Sequence, residues 1–179
     1  MIEVSLRDAT AADVEALAQA VVDGVAEYPA FAPAGWSPPT VTGEAEHLHA
    51  LLGDDRVRCI VAEAERSRII GQVTVLPAAI AARPVAEPEL AHLRNLFVDP
   101  EFQGAGVARL LTGAALDAAR ERGFTAIRLF VAEGQARARR FYEREGWSAV
   151  GEPFYDAVPG LDLLEYRRPT TAGPAGRSG

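Results

Sequence analysis

The chain contains a single cysteine and no lysine. Because Cys59 has no second cysteine to pair with, an internal disulfide and a Cys₂ or Cys₄ metal site are excluded. Cys59 lies in an apolar strand pattern, where a thiol usually fills core space, and we interpret it as structural. His47 and His49 are two positions apart on a predicted helix and point to different sides. With His92 they complete the histidines, and we predict no metal site.

Long apolar runs are also missing, and so is an excess of basic charge. No segment approaches the roughly 18 consecutive apolar residues of a membrane-spanning helix. The N-terminus lacks the basic start and the apolar run of a signal peptide. The 25 acidic residues outnumber the 18 basic ones, all arginine, and the net charge of −7 disfavours nucleic-acid binding. We expect a cytoplasmic protein with neither nucleic acid nor membrane as a partner, and its acidity suits a cationic ligand.

The hydrophobic patterning predicts one compact domain, since 179 residues fall within the usual domain size of about 100 to 200. Alternating helix and strand patterns indicate an α+β fold, an α/β sandwich with a mixed sheet and helices on both faces. We assign residues 1–168 to this domain and predict that residues 169–179 form a disordered tail. The predicted strands are 2–7, 58–63, 69–76, 90–98, 126–131, 147–150 and 163–167, and the predicted helices are 10–22, 43–52, 103–122 and 135–145.

Two proline-rich segments interrupt these patterns, at residues 28–39 and 77–88. The first carries Phe31 and Trp36 between its prolines, so it is irregular but is expected to pack on something.

A glycine-bearing turn opens the predicted helix that begins at Gln103. The first turn of a helix leaves backbone N–H groups free and carries partial positive charge, which suits a phosphate or pyrophosphate. Gly104 and Gly106 can take up the dihedral angles of such a loop. The same glycines equally suit a tight turn that packs the helix on the sheet. A lysine P-loop is absent, and Arg109 occupies the position where a G-x-G-x-x-G motif would need its last glycine.

The stretch from Leu93 to Ala108 resembles the acetyl-coenzyme A binding core of the GCN5-related N-acetyltransferase (GNAT) family. Its Q/R-x-x-G-x-G/A signature is matched by Gln103, Gly106 and Ala108. A second element, Phe141 to Trp147, is similar to the aromatic pair that closes a helix before a glycine in that family. The resemblance implies a GNAT-like fold with a mixed, mostly antiparallel central sheet flanked by helices. It also implies acetyl-CoA as co-substrate, without a metal.

The resemblance also implies which residues bind the coenzyme. Backbone groups of Leu96, Phe97 and Val98 would pair with the pantetheine arm, and the N–H near Phe97 would face the thioester carbonyl, where a donor stabilises an oxyanion. Gln135 stands where the family commonly has an asparagine that contacts the cofactor. The pyrophosphate would bind to the backbone of Gln103, Gly104, Ala105, Gly106, Val107, Ala108 and Arg109. Arg137, Arg139 and Arg140 either attract the phosphates or form a solvated helix face.

Tyr142 would protonate the departing thiolate. A phenol with an ordinary pKa near 10 can do so to a thiolate whose acid has a pKa of about 8.5 if geometry and environment help. The alternative is an aromatic core residue, as we expect for Phe141. The sequence does not decide which base deprotonates the attacking amine. His92 has the most suitable ordinary pKa. Glu89, Glu133 and an ordered water are the alternatives.

The resulting hypothesis is direct transfer of an acetyl group from acetyl-coenzyme A to a primary amine, with Phe31 and Trp36 as walls of the acceptor site. The expected partners are a small-molecule or peptide amine and a second copy of the chain in a homodimer. Two alternatives stay open. One is a non-catalytic coenzyme A-binding regulatory or structural module with the same fold, and the other is a nucleotide-binding protein that uses the same glycine turn.

Overall fold

A computed structural model describes residues 3–171 of the protein, which form a seven-stranded sheet with helices on both faces. In chain order the elements are β1 (Ser5–Asp8), α1 (Val14–Gly24), α2 (Val41–Leu52), β2 (Arg58–Ala64), β3 (Arg68–Pro77), β4 (Leu90–Val98), α3 (Val107–Glu121), β5 (Ala126–Ala132), α4 (Ala136–Arg144), β6 (Ser148–Asp156) and β7 (Leu161–Pro169). Within the sheet the strands are ordered β1-β2-β3-β4-β5-β7-β6.

The sheet is mixed and mostly antiparallel, because β4 and β5 form the single parallel pair among the described strands. This confirms the expected α+β class. The parallel pairing is short: Leu90–Leu93 of β4 faces Ala126–Leu129 of β5. Beyond Leu93, β4 stays paired with β3 up to Val98. The two central strands therefore separate at their carboxyl ends.

A β-bulge accounts for this separation. The register between β3 and β4 shifts between Gln72 and Thr74, and Asn95 has a φ of 54°. Asparagine enters this left-handed region more easily than most residues. A bulge bends its strand and increases the local twist, which turns the end of β4 away from β5.

Each face of the sheet has its own apolar core. On one face, Val107 and Leu111 of α3 pack against Ile127 and Leu129 of β5. On the other face, α1 and α2 cover a second cluster made of Val14, Leu17, Ala18, Leu48, Cys59 and Val61. Cys59 is buried, and burial raises the pKa of its thiol, as suits core filling rather than a reactive thiolate.

Capping residues fix where the first two helices begin. Thr10 and Asp13 form a capping box at the entry to α1, and the Asp13 carboxylate also accepts two hydrogen bonds from Arg7 at 2.8 and 2.9 Å. Thr40 Oγ1 accepts from the N–H of Gly43 at 3.1 Å at the start of α2. Between the helices, residues 28–39 contain one short 3₁₀ turn and are otherwise irregular, in agreement with their proline content.

Several element boundaries differ from the sequence prediction, among them the end of β6, which extends to Asp156 instead of residue 150. Helix α3 begins at Val107 instead of Gln103, because Gly104 and Gly106 have φ angles of 85° and 87°, outside the helical region. Strand β7 extends to Pro169, and the hydroxyl of buried Thr170 donates to the carbonyl of Phe124 at 2.8 Å. The ordered chain thus continues past residue 168. Residues 172–179 of the expected tail, and the first two residues of the chain, lie outside the described part.

Candidate active site

The opening between β4 and β5 leaves one edge of β4 free. From Arg94 to Val98 the backbone has no partner on the β5 side within residues 3–171. The side chains of Leu96 and Val98 pack partly into the core beneath α3. The Phe97 ring lies on the other face, against Gly24 at the end of α1. Leu96, Phe97 and Val98 thus offer a free strand edge, and their pairing with a pantetheine arm stays a prediction.

The turn before α3 supplies free N–H groups next to this edge. Residues 103–106 are exposed, and a Cβ atom built on Gly104 or Gly106 would meet nothing within 4 Å. No hydrogen bond within residues 3–171 uses the N–H of Val107, Ala108 or Arg109. Three convergent donors at a helix start suit a pyrophosphate. The glycines are needed here for their positive φ angles rather than for close packing.

The start of α4 faces the same turn. Arg137 Nη1 donates to Gln103 Oε1, and Gln103 Nε2 donates to the carbonyl of Val98 at 3.4 Å. The side chain of Gln103 therefore connects α4, the turn and the end of β4. On the outer side, Arg109 Nε forms an ion pair with Glu145 at 3.0 Å.

The three arginines considered for phosphate binding point in different directions. Arg137 lies at the turn, whereas Arg139 donates to the carbonyl of Glu133 at 3.1 Å and to the hydroxyl of Tyr166 at 3.4 Å. Arg140 is exposed. Of these three, Arg137 is thus the arginine nearest the proposed pyrophosphate position. Gln135, at the α4 N-cap position, makes no side-chain capping bond.

Tyr142 lies in α4, belongs to the core cluster against which Leu96 and Val98 pack, and is 8% exposed. Its ring packs against Phe141 and Trp147 at centroid distances of 5.3 and 5.7 Å. Its hydroxyl has no hydrogen-bond partner within the described part of the chain. Burial raises the pKa of Tyr142 above its usual value, and the nearby hydroxyl of Tyr28 adds to this effect. Tyr28 packs with Phe31 and Trp36 in a separate cluster, and its effect on the pKa of Tyr142 indicates that this cluster approaches the core beneath α3 near Tyr142.

His92 is buried on the α1 and α2 side of the sheet, 4% exposed. Its ring contacts Phe130 at 4.9 Å, and its Nδ1 has no partner among the described residues. Burial, and then the charges of Arg128 and Arg94, lower the pKa of His92 to about 3. A base this weak is a poor acceptor for a proton from an amine. The burial argues against a catalytic role for His92, which stays an untested prediction.

The two rival carboxylates lie at opposite ends of the central strands. Glu89 precedes β4, and about 20 Å of strand separates it from Asn95 in the bulge. Its carboxylate accepts from the hydroxyl of Thr125 at 3.1 Å. Glu133 directly follows β5 and is exposed beside the opening. Of the two, Glu133 is the one near the place where the strands separate.

The irregular segment before α2 forms one wall of a cleft of about 520 Å³. Phe31 lines this cleft together with Gln135 and Arg137, and its ring lies so close to Gly134 that a Cβ there would be 2.5 Å away. Trp36 has a different position: its Nε1 donates to the carbonyl of Pro159 at 2.7 Å and ties the segment to the β6–β7 turn. Phe31 thus faces the cleft, and Trp36 anchors the wall.

Two arginines on the α1 and α2 side of the sheet were not predicted from the sequence as site residues. Arg128 is 1% exposed and donates to the carbonyls of Ala82 and Arg83 at 3.1 and 2.7 Å. Arg94, two residues after His92, contacts His47 of α2. Each arginine occupies an inward position of an otherwise apolar strand, and this pattern could have identified both, because such charges are seldom buried without a partner.

No group of three or more histidine, cysteine, aspartate or glutamate side chains able to hold a metal occurs within residues 3–171. In the same part of the chain no helix is long and apolar enough to span a bilayer.

Comparison with known proteins identifies similar sequences. The model of a family described as "Acetyltransferase (GNAT) family" matches residues 25–147. A mycothiol acetyltransferase from Beutenbergia cavernae is 47% identical over 75 residues, which are 42% of this chain and 25% of that protein. The chain thus matches a quarter of that relative's length, and it covers 28% and 38% of two other curated relatives.

Solved structures share the fold across nearly the whole chain. An acetyltransferase of the GNAT family from Staphylococcus aureus has a TM-score of 0.73 at 14% identity, covering 94% of this chain and 100% of that one. A spermidine N-acetyltransferase mutant from Vibrio cholerae has a TM-score of 0.66 at 21% identity, covering 93% and 94%. At these identities the likeness extends to the fold alone.

Proposed function

The chain belongs to the GNAT acetyltransferase family, and from this premise we propose that it moves an acetyl group from acetyl-coenzyme A to a primary amine by direct transfer. One observation supports the proposal: Leu96 and Val98 at the free edge of β4, Val107 at the start of α3 and the Tyr142 ring all belong to or pack against the same apolar cluster. Coenzyme binding and proton donation would thus meet at one place.

The residues around the turn have the chemistry that the coenzyme needs. The N–H groups of Val107, Ala108 and Arg109 would hold the pyrophosphate, assisted by the charge of Arg137. The backbone from Leu96 to Val98 would hold the pantetheine arm. Because the turn is exposed and has open space above Gly104 and Gly106, the phosphates can approach without rearrangement of the protein.

Acetyl-coenzyme A supplies an acetyl group activated as a thioester, so that a C–N bond forms while the C–S bond breaks. Tyr142 would give its proton to the leaving sulfur. The amine nitrogen loses one proton, to water or to Glu133, which balances the proton that Tyr142 must regain. Holding both reactants in one cleft supplies much of the rate, since it removes the entropic cost of their meeting.

A thiol-release assay with acetyl-coenzyme A and a panel of small and peptide amines tests this proposal. The Tyr142→Phe variant should lose about 100-fold in kcat/KM with the best amine, as expected for removal of a general acid. Tyr155→Phe is the matched control, because Tyr155 is 62% exposed on β6 and should leave activity unchanged. Full activity of Tyr142→Phe would show that another group donates the proton.

Two further measurements address the alternatives. Tight coenzyme binding in calorimetry without thiol release on any amine would indicate a non-catalytic binding module. Parallel lines in double-reciprocal plots, together with acetyl trapped on Cys59, would contradict direct transfer. Because Cys59 is buried, it is poorly placed to carry an acetyl group, and we expect intersecting lines in these plots.

A further inference from the structure

Arg94 is a half-buried cation that forms no ion pair with another described residue. Burial lowers the pKa of its guanidinium, yet within residues 3–171 no acidic oxygen lies within 4.0 Å of it. Its one hydrogen bond joins Nη1 to His47 Nε2. A guanidinium has five N–H donors, so most of them are unused. The guanidinium nitrogens of Arg94 are not among the buried atoms that lack a partner, so its unused donors are accessible to a ligand.

Arg128, the buried arginine of this face, has its partners within the protein. Arg128 donates to the carbonyls of Ala82 and Arg83, and its Nη1 lies 4.0 Å from Glu165. Arg128 is therefore accounted for as a structural residue. Arg94, which directly precedes Asn95 of the bulge, is not.

Arg94 is also placed at the opening. It is the first residue of β4 beyond the pairing with β5, which ends at Leu93. Its contact with His47 shows that its side chain lies in the layer of α1 and α2. Tyr142 and the start of α3 belong to the opposite layer. An acceptor that approaches the opening from the α1 and α2 side would meet the guanidinium before it reaches the thioester.

We propose that Arg94 binds a carboxylate of the acceptor, so that the acceptor is a small amine that carries a carboxylate, of the amino-acid class. This inference rests on the proposed acetyl transfer and names its substrate class. A carboxylate matches the planar fork of a guanidinium and can accept two parallel hydrogen bonds. The net charge of −7 concerns the whole surface, whereas binding at Arg94 depends on the charge at the opening.

Glu44 is the competing partner. Its Oε2 is buried without a hydrogen bond among the described residues, and its charge acts on Arg94. If the two formed a structural ion pair, replacing Arg94 would lower stability and reduce activity on all amines equally. A substrate-binding role predicts a loss confined to amines that carry a carboxylate. This difference separates the two explanations.

The experiment compares standard amino acids with their carboxamides, which keep the amine and side chain but lack the charge. Wild-type kcat/KM should be at least about tenfold higher for the acids, the usual effect of a hydrogen bond to a charged group. Arg94→Gln should remove this preference and leave the KM for acetyl-coenzyme A unchanged, and Arg94→Lys should restore part of it. Arg120→Gln, an exposed arginine on α3, is the control that should change nothing.

Calorimetry with N-acetylated amino acids provides a readout that does not require turnover. Wild-type protein should bind them more tightly than the corresponding amides, and Arg94→Gln should abolish the difference. Equal binding and equal turnover of acids and amides, or a preference for spermidine over all carboxylates, would overturn the assignment to Arg94. If no amine of any kind releases coenzyme A, acetyl transfer itself fails, and calorimetry still decides whether Arg94 binds carboxylates.

Discussion

Gly106 and Gly123 have nearly the same backbone conformation at the two ends of α3, with φ angles of 87° and 86°. A Cβ atom at either position would meet nothing within 4 Å, so alanine is disfavoured at both by its dihedral angles alone. Each alanine variant should lose about 1–2 kcal/mol of unfolding free energy in urea titrations. Gly106→Ala alone should weaken acetyl-coenzyme A binding in calorimetry, because Gly106 directly precedes the free N–H groups. Equal coenzyme affinity in both variants would contradict the pyrophosphate position.

The raised pKa of Tyr142 should keep its ionisation out of the activity profile between pH 7 and 10. Burial and the neighbouring Tyr28 raise the pKa above its ordinary value near 10, so the phenol keeps its proton to higher pH. Between pH 7 and 10 activity should therefore not decline through ionisation of Tyr142. Profiles of kcat/KM for wild type and Tyr142→Phe should have the same shape over this range. An alkaline decline with a midpoint near pH 8.5 that is absent from the variant would contradict this expectation.

Helices α1 and α3 each contain a glycine whose replacement should have opposite effects. A Cβ atom on Gly24 would lie 2.0 Å from the Phe97 ring, whereas one on Gly113 would meet nothing within 4 Å. Gly24→Ala should cost about 1–3 kcal/mol through overpacking against the end of β4. Gly113→Ala should add about 0.5–1 kcal/mol, because alanine favours the helical conformation. Urea titration of both variants checks the signs, and a neutral Gly24→Ala would mean that Phe97 moves freely.

The start of α1 should depend on the charge of Asp13. Its carboxylate accepts hydrogen bonds from Arg7 and from the Thr10 N–H, and chiefly the Arg7 bond holds its pKa well below the usual range. This stabilisation is fully present above the unfolded pKa of about 3.9. It is lost as the pH falls through the lower folded pKa.

Asp13→Asn should therefore cost about 1–2 kcal/mol at pH 7, with a constant difference from wild type down to pH 5 that shrinks below about pH 4. Asp54→Asn is the matched control: its partner Arg56 is two residues away on the surface, and its unfolding midpoint should stay near that of wild type. A pH-independent difference for Asp13→Asn would mean that the capping geometry, rather than the charge, is responsible.

At the scale of the elements, local patterns predicted the helices and strands well. The beginning of α3 was misplaced because a strong apolar period at Val107, Leu111 and Ala115 hides the non-helical φ of Gly106. The separation of β4 from β5 could not be predicted from the residues, because a bulge depends on pairing with β3 and not on local preference. Only the family resemblance pointed to the end of β4.

At the scale of the whole molecule, residues far apart in the sequence form the candidate site. Arg94 illustrates the limit of sequence reasoning: its alternation in β4 predicts burial, but whether a carboxylate faces it depends on α2 and β5. Gln103 and Arg137, 34 positions apart, meet at the turn, and no periodicity connects them. Long-range contacts of this kind are set by topology.

The whole molecule should unfold in one step and respond to the coenzyme as a unit. One sheet runs through the described chain from β1 to β7, so heating should give a single cooperative transition, as expected of one domain.

Acetyl-coenzyme A at about 100 times its Kd should add about 2.7 kcal/mol of stability, which for a chain of this size corresponds to a rise in Tm of roughly 5–10 °C. ATP and NAD at the same concentration should give a smaller rise, because they lack the pantetheine arm that the β4 edge would bind. Two separate transitions, or an equal shift with ATP, would contradict the single domain or the coenzyme A preference respectively.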